Sequence, residues 1–243
     1  MLPFHVIAII GIFHLNYILW LFLFWFLFGV IGNGVAGHRY FAHGQFECHP
    51  LVKWILGFLA TLGAYAPISY WRVQHLQHHA TSDSKDDIHS PNTGSLFHTF
   101  YGWILTDLPI ESVTKGNAVA ARVMRDKFYK WFFQHHYKII YIFSILLLFI
   151  DPYIFSMYCL AYVIDIWRLG SVNYFCHRYG YRLFNTTDKS TNNIWVGLLG
   201  FGFGWHNTHH AFPKRLILTE KWWEIDLEGY IGWLISNNKS KIY

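Results

Sequence analysis

The sequence predicts an all-α integral membrane protein with about four transmembrane helices, the first of them short, and a cytoplasmic helical cap holding a di-metal site. Three observations carry this expectation. Hydrophobic residues make up 53% of the 243 positions and charged residues only 14%, too apolar for an ordinary soluble domain. Four apolar runs have the length of helices. Histidine occurs 16 times, and much of it gathers where those runs give way to polar sequence. No linker or break in composition divides the chain, so residues 1–243 read as a single domain.

Residues 2–14 are apolar but reach only roughly 18 Å as a helix of about 12 residues, which makes a short or partial first span. Residues 15–37 carry no charge and reach roughly 34 Å, enough to cross a bilayer core. Residues 128–150 and 153–172 are parted by Asp151-Pro152, whose proline cannot continue a helix, so they form a helical hairpin through the membrane. The segments 38–127 and 173–243 read as cytoplasmic or interfacial. Within the first, residues 51–67 are apolar enough to suggest another span. A crossing there would part His38 and His43 from His75, His78 and His79, so a helix lying along the membrane is expected instead.

The opening stretch has no basic region or small-residue cleavage pattern, and stays as an anchor. All 19 Lys and Arg lie at Arg39 or later, which by the positive-inside rule puts the histidine-bearing face in the cytoplasm. The net charge of +5 is scattered, suiting membrane lipid and arguing against nucleic acid. Cys48, Cys159 and Cys176 imply no disulfide framework. Gly32, Gly34 and Gly37 match a dinucleotide fingerprint in letters only, since no strand precedes them; close helix packing explains them.

Two segments share the spacing H-x-x-H-H: His75, His78, His79 and His206, His209, His210. Positions i, i+3 and i+4 of a helix fall within about 100° of arc, so each segment can aim its imidazoles at one point. His38 and His43 form a third pair, five residues apart. An α-helix rotates roughly 140° over that distance, so both serve one site only where the helix ends or bends, as Gly44 permits. Neutral imidazole suits Zn, Cu, Fe or Ni, and eight such ligands exceed the needs of one ion, so two metals are expected. Phe26, Val30, Gly34 and His38 recur every four residues and share a stripe leading to the metals. That stripe suits a substrate tunnel or plain core packing equally well.

The three boxes, in this order, resemble those of the membrane fatty acid desaturases, specifically the stearoyl-CoA (delta-9) desaturase-like group. The resemblance takes in Gly37-His-Arg-Tyr-Phe-Ala-His43, Trp71-Arg-Val-Gln-His75, His89-Ser-Pro91, Val172-Asn-Tyr-Phe-Cys-His177, Gly204-Trp-His-Asn-Thr-His-His-Ala-Phe-Pro213 and Trp222-Trp-Glu224, and covers about Gly29 to Leu234. It implies an O2-dependent di-iron enzyme that introduces a cis double bond into a fatty acyl chain, of delta-9 type, carried by CoA or by a membrane lipid. Two Fe2+ ions and O2 are then the cofactor and co-substrate. The resemblance adds His177 as a ninth ligand and Asn173 acting through water, with no catalytic residue beyond the metal ligands. It also suggests substrate contact for His89, and Trp71 and Trp205 join the candidate tunnel residues. No cytochrome b5 haem motif is visible, so a separate donor of cytochrome b5 or ferredoxin type is expected. The implied location is the ER membrane in a eukaryote or virus, and the inner or plasma membrane in a bacterium. Phe203 departs from the pattern, since related bacterial sequences often carry an acidic residue there. Two other readings compete: a lipid hydroxylase using the same site, and a metal transporter or sensor. A transporter would place its ligands near mid-membrane, whereas these collect at helix ends.

Overall fold

The computed structural model describes residues 2–105 and 118–239. Of the segments 38–127 and 173–243 expected at the cytoplasmic side, residues 106–117 and 240–243 lie outside the described residues. The described chain is helical, with only two isolated antiparallel bridges, from Asn192 to Tyr181 and to Trp205. Its helices are α1 (Leu2–Ile12), α2 (Leu15–Ala42), α3 (Pro50–Gly63), α4 (Ile68–Thr81), α5 (Leu96–Phe100), α6 (Ala118–Arg125), α7 (Lys127–Ile150), α8 (Pro152–Phe175), α9 (Ile194–Leu199), α10 (His206–Ala211) and α11 (Leu227–Ile235).

The expected hairpin is α7 and α8. Asp151 makes the turn: its carboxylate accepts the Tyr153 and Ile154 N–H groups at 2.7 and 3.4 Å, while Pro152 sits at the first helical position. Two helices, α2 and α7, are long and apolar enough to cross a membrane, and the bent pair α3 and α4 makes a third if it counts as one broken span. Four were expected. The first, α1, has 11 residues and packs on α8, with the Phe4 ring against Tyr158 and Tyr162. The 24-residue α8 is long enough, but it carries Asp165 and Arg168, and most of its residues are buried by other helices.

The 51–67 stretch departs from expectation. Instead of lying flat, α3 runs antiparallel beside α2: Gly32 meets the backbone at Leu59 and Ala60, and Gly63 meets that of Phe28. The missing side chains allow the close approach. After Gly63 the chain bends by 79° into α4, which climbs back toward the histidines. The bent pair thus brings the second box to the end of α2 that carries the first.

A buried charge network ties α2, α8 and α11 together. Arg39 lies 2.6 Å from Asp226, and Arg168 lies 2.7 Å from both Asp165 and Glu228. Asn33 donates to Asp165 at 2.5 Å and to the Gly63 carbonyl at 3.0 Å. Two arginines face three carboxylates here, so one proton would balance the set. Burial raises the Glu228 carboxyl to about 7 against the pull of Arg168 and Arg39.

Candidate metal centre

The end of α2 solves the problem set by the His38 and His43 spacing. From Trp25 to Ala42 the helix is wound as a π-helix, and the His43 N–H donates to the His38 carbonyl at 3.1 Å. That i to i+5 bond stacks residue 43 about one turn beyond residue 38, so both rings face one way without a bend. Gly44, with φ of +60°, then ends the helix.

The boxes do not each serve one point. In α4, His75 and His79 turn to one centre and His78 to another; in α10, His206 and His210 share the second centre and His209 joins the first. The sets His38, His43, His75, His209 and His78, His177, His206, His210 each bring their ligand atoms within 4.8 Å of one another. His79 belongs with the first set, its Nε2 lying 3.1 Å from that of His75 and 2.9 Å from that of His209. The reason is angular: on a helix i+4 lies about 40° from i, whereas i+3 lies about 60° from i in the opposite sense.

Carboxylates back the second centre. Nδ1 of His177 lies 2.8 Å from Asp83, Nδ1 of His210 lies 2.8 Å from Asp188, and Nδ1 of His78 lies 3.1 Å from Asp87. Nδ1 of His38 and of His209 in the first centre, and of His206 in the second, is buried with no partner. Burial pushes Asp83 and Asp87 up, but hydrogen bonds from His177 and His78 outweigh it and hold both below the ordinary carboxylate range. Burial, reinforced by neighbouring imidazoles, holds His75, His79, His206, His209 and His210 well below their usual value, and burial takes His43 to about 3. The rings are therefore neutral, the form a metal binds.

The donor set fits a cation. His177 and His210 each have a carboxylate at Nδ1, and the Nε2 of each lies 3.0 Å from His206 Nε2. Three ring nitrogens thus converge on one point, as ligands of a common cation do. Nine imidazoles in two groups are a donor set for two borderline ions such as ferrous iron.

The third box is held by asparagines. Asn192 Oδ1 accepts the Asn207 and Thr208 N–H groups at 2.9 and 3.1 Å, capping the six-residue α10. Asn207 Oδ1 in turn accepts the N–H groups of Leu183 and Phe184.

A cavity of about 30 Å³ opens on the second centre between α4 and α8, lined by Trp71, His89, Asn173 and Phe203 among others. Two of the expected tunnel residues are there. The other four are not. Phe26 is 39% exposed, Val30 is fully buried in the core, Gly34 backs onto Glu228, and Trp205 is a buried wall whose indole donates to the Ile225 carbonyl at 2.9 Å. Val30 is buried and Gly34 meets Glu228 of α11, so packing accounts for those two positions of the stripe. His89, which a solvated loop would expose, is 6% exposed and forms a third potential metal group with His78 and Asp87. Asp83, Asp87 and Asp188 were not legible as site residues; the run of acids following the second box was the one available signal, and Asp188 offered none.

Phe203 packs on His38 with ring centroids 4.8 Å apart, and the Arg168 guanidinium lies 4.9 Å from its ring centre. Arg168 takes its carboxylates from Asp165 and Glu228, so a phenylalanine at 203 leaves no cation unpaired.

The described residues combine helices long and apolar enough to cross a membrane with two histidine clusters that could each hold a metal ion. Comparison with known proteins narrows the class. The fatty acid desaturase family model matches residues 14–224, and the chain belongs to that family. It is 34% identical over 210 residues to icosanoyl-CoA 5-desaturase of Limnanthes douglasii, covering 85% of this chain and 58% of that protein. It is 31% identical over 215 residues to sn-1 stearoyl-lipid 9-desaturase of Anabaena variabilis, covering 85% and 75%. It is 30% identical over 228 residues to hex-5-enoyl-[acyl-carrier protein] acetylenase of Moorena producens, covering 84% and 69%. The chain thus spans less than two thirds of the length of the Limnanthes relative.

Proposed function

We propose that the chain is an O2-dependent fatty acyl desaturase that places a cis double bond in an acyl chain carried by CoA or by a membrane lipid. The observation that carries this is the pairing of two histidine clusters beside one cavity in a chain of the desaturase family. His38, His43, His75, His79 and His209 would hold one iron; His78, His177, His206 and His210, with Asn173 through water, would hold the other. When bound, the irons supply activation of O2, the oxidising strength that no side chain offers an unactivated hydrocarbon. Desaturation by O2 forms two waters and needs two electrons and two protons beyond the two hydrogens removed. A separate donor protein is therefore part of the reaction.

The protein's share is position and dryness. Trp71 stacks on His75 with ring centroids 4.9 Å apart, and Trp103, Leu169, Val172 and Phe203 wall the cavity. Its volume suits one water beside Asn173, so an acyl chain enters only as these side chains shift. Relatives are named for carbon 5 and for carbon 9; the resemblance of the boxes favours the delta-9 type. The metal site would face the cytoplasm, on the side of the basic residues.

Expression in a host of known lipid composition tests the reading. The expected product is an acyl chain lighter by two mass units, absent with His209→Ala. A gain of sixteen would show hydroxylation instead, and an unchanged profile with a competent donor present would count against both.

A further inference from the structure

We propose that a second cleft, on the opposite side of α4 from the metal cavity, binds a phosphate-type anion. The cleft has a volume of about 790 Å³, within the range of small-molecule sites. On α4, Arg72 and Leu76 face it, whereas Trp71, Gln74, His75 and His78 face the metal cavity. One helix therefore separates two sites.

Four cations converge on the cleft: Lys53 of α3, Arg72 of α4, and Arg122 and Arg125 of α6. Glu47 and Asp126 are the acids there, and Lys53 approaches Asp126 only to 3.9 Å. Arg122 and Arg125 are exposed and make no hydrogen bond or ion pair among the described residues. Arg72 is held rigidly, its Nη1 donating to the Phe41 carbonyl at 2.6 Å and to the Tyr129 hydroxyl at 2.8 Å. Its Nε is buried with no acceptor. A buried donor left unpaired is costly, and guanidinium groups match phosphate oxygens in pairs. An oxyanion in the cleft would satisfy both conditions.

Position favours phosphate over other anions. The α6 helix leads directly into α7, one of the two membrane-length helices, so the cleft sits at the level where a bilayer carries its headgroups. Gly44, next to His43, also lines it, so the site backs onto the first metal cluster. The phosphate has two possible sources, a phospholipid headgroup or a soluble nucleotide-linked acyl carrier. The inference rests on the membrane placement of α7 and not on the chemistry at the histidines, so either can fail alone.

The test uses the full chain loaded with iron in neutral detergent, titrated with phosphatidic acid, 3′,5′-adenosine diphosphate and phosphatidylcholine, with binding read by native mass spectrometry and by melting temperature. Saturable binding of phosphatidic acid or of the nucleotide is expected, weakened about tenfold by the double variant Arg122→Gln/Arg125→Gln and by salt. Lys221→Gln, which does not line the cleft, should leave it unchanged. Binding of the lipid alone assigns the headgroup as source, and of the nucleotide alone the soluble carrier. Both arginines are exposed, so the variant keeps its fold, and its iron content verifies that. Absence of saturable binding of either phosphate overturns the proposal. So does equal binding by the double variant, or arginine-dependent retention of an acidic protein without any phosphate.

Discussion

Asp83→Asn should loosen one metal and spare the other. Asp83 accepts from His177 Nδ1 at 2.8 Å, and both side chains are buried, at 5% and 1% exposure. It also accepts the Lys189 N–H at 2.8 Å and the Ser90 hydroxyl at 2.9 Å, so the amide keeps the shape of the residue while removing its charge. Loss of a carboxylate behind a metal-bound histidine lowers affinity roughly 10- to 100-fold, or about 1.4 to 2.8 kcal/mol. The effect is confined to the second cluster, because no histidine of the first touches Asp83. Iron retained per chain, measured across a chelator titration, should therefore show two release steps, of which only that of the second cluster moves in the variant. Equal loss of both irons, or retention identical to that of the unaltered chain, would refute the division into two centres backed unequally by carboxylates.

Gly34→Ala should destabilise the fold by about 1 to 3 kcal/mol, because a Cβ at 34 would collide with the Glu228 carboxylate; thermal melting checks it. Burial lifts Glu228 from 4.5 to about 7, so the folded chain holds an extra proton over that interval. Its contribution to stability is present below pH 4.5 and is lost as pH rises through about 7; Glu228→Gln should flatten that slope in melts across pH. Phe26→Ala should leave product chain length unchanged, whereas Leu169→Ala, in the cavity wall, should shift the product profile seen by mass spectrometry.

The histidine boxes were legible because ligands three to five residues apart must share a helix end, and that is local information. The hairpin at Asp151-Pro152 was legible for the same reason. How each box divides was not, since His78 and His209 part from their neighbours only when α4 and α10 face each other across the cluster. The π-winding that aligns His38 with His43 is a backbone feature that no spacing rule reports. The carboxylates lie remote in sequence from most of the rings they support: Asp83 is 94 positions from His177. The α2 stripe stayed ambiguous for a related reason, because a period of four residues does not distinguish a tunnel wall from a packed face.

The central claim is tested most directly by single turnover of the purified chain. The protein, loaded with two irons and reduced by a competent donor, is given O2 and an acyl substrate, and the product mass is read. The account predicts one equivalent of product lighter by two mass units, requiring both irons and abolished in His209→Ala. A fully loaded, reduced chain that consumes O2 and returns the substrate unchanged, or heavier by sixteen, would contradict it.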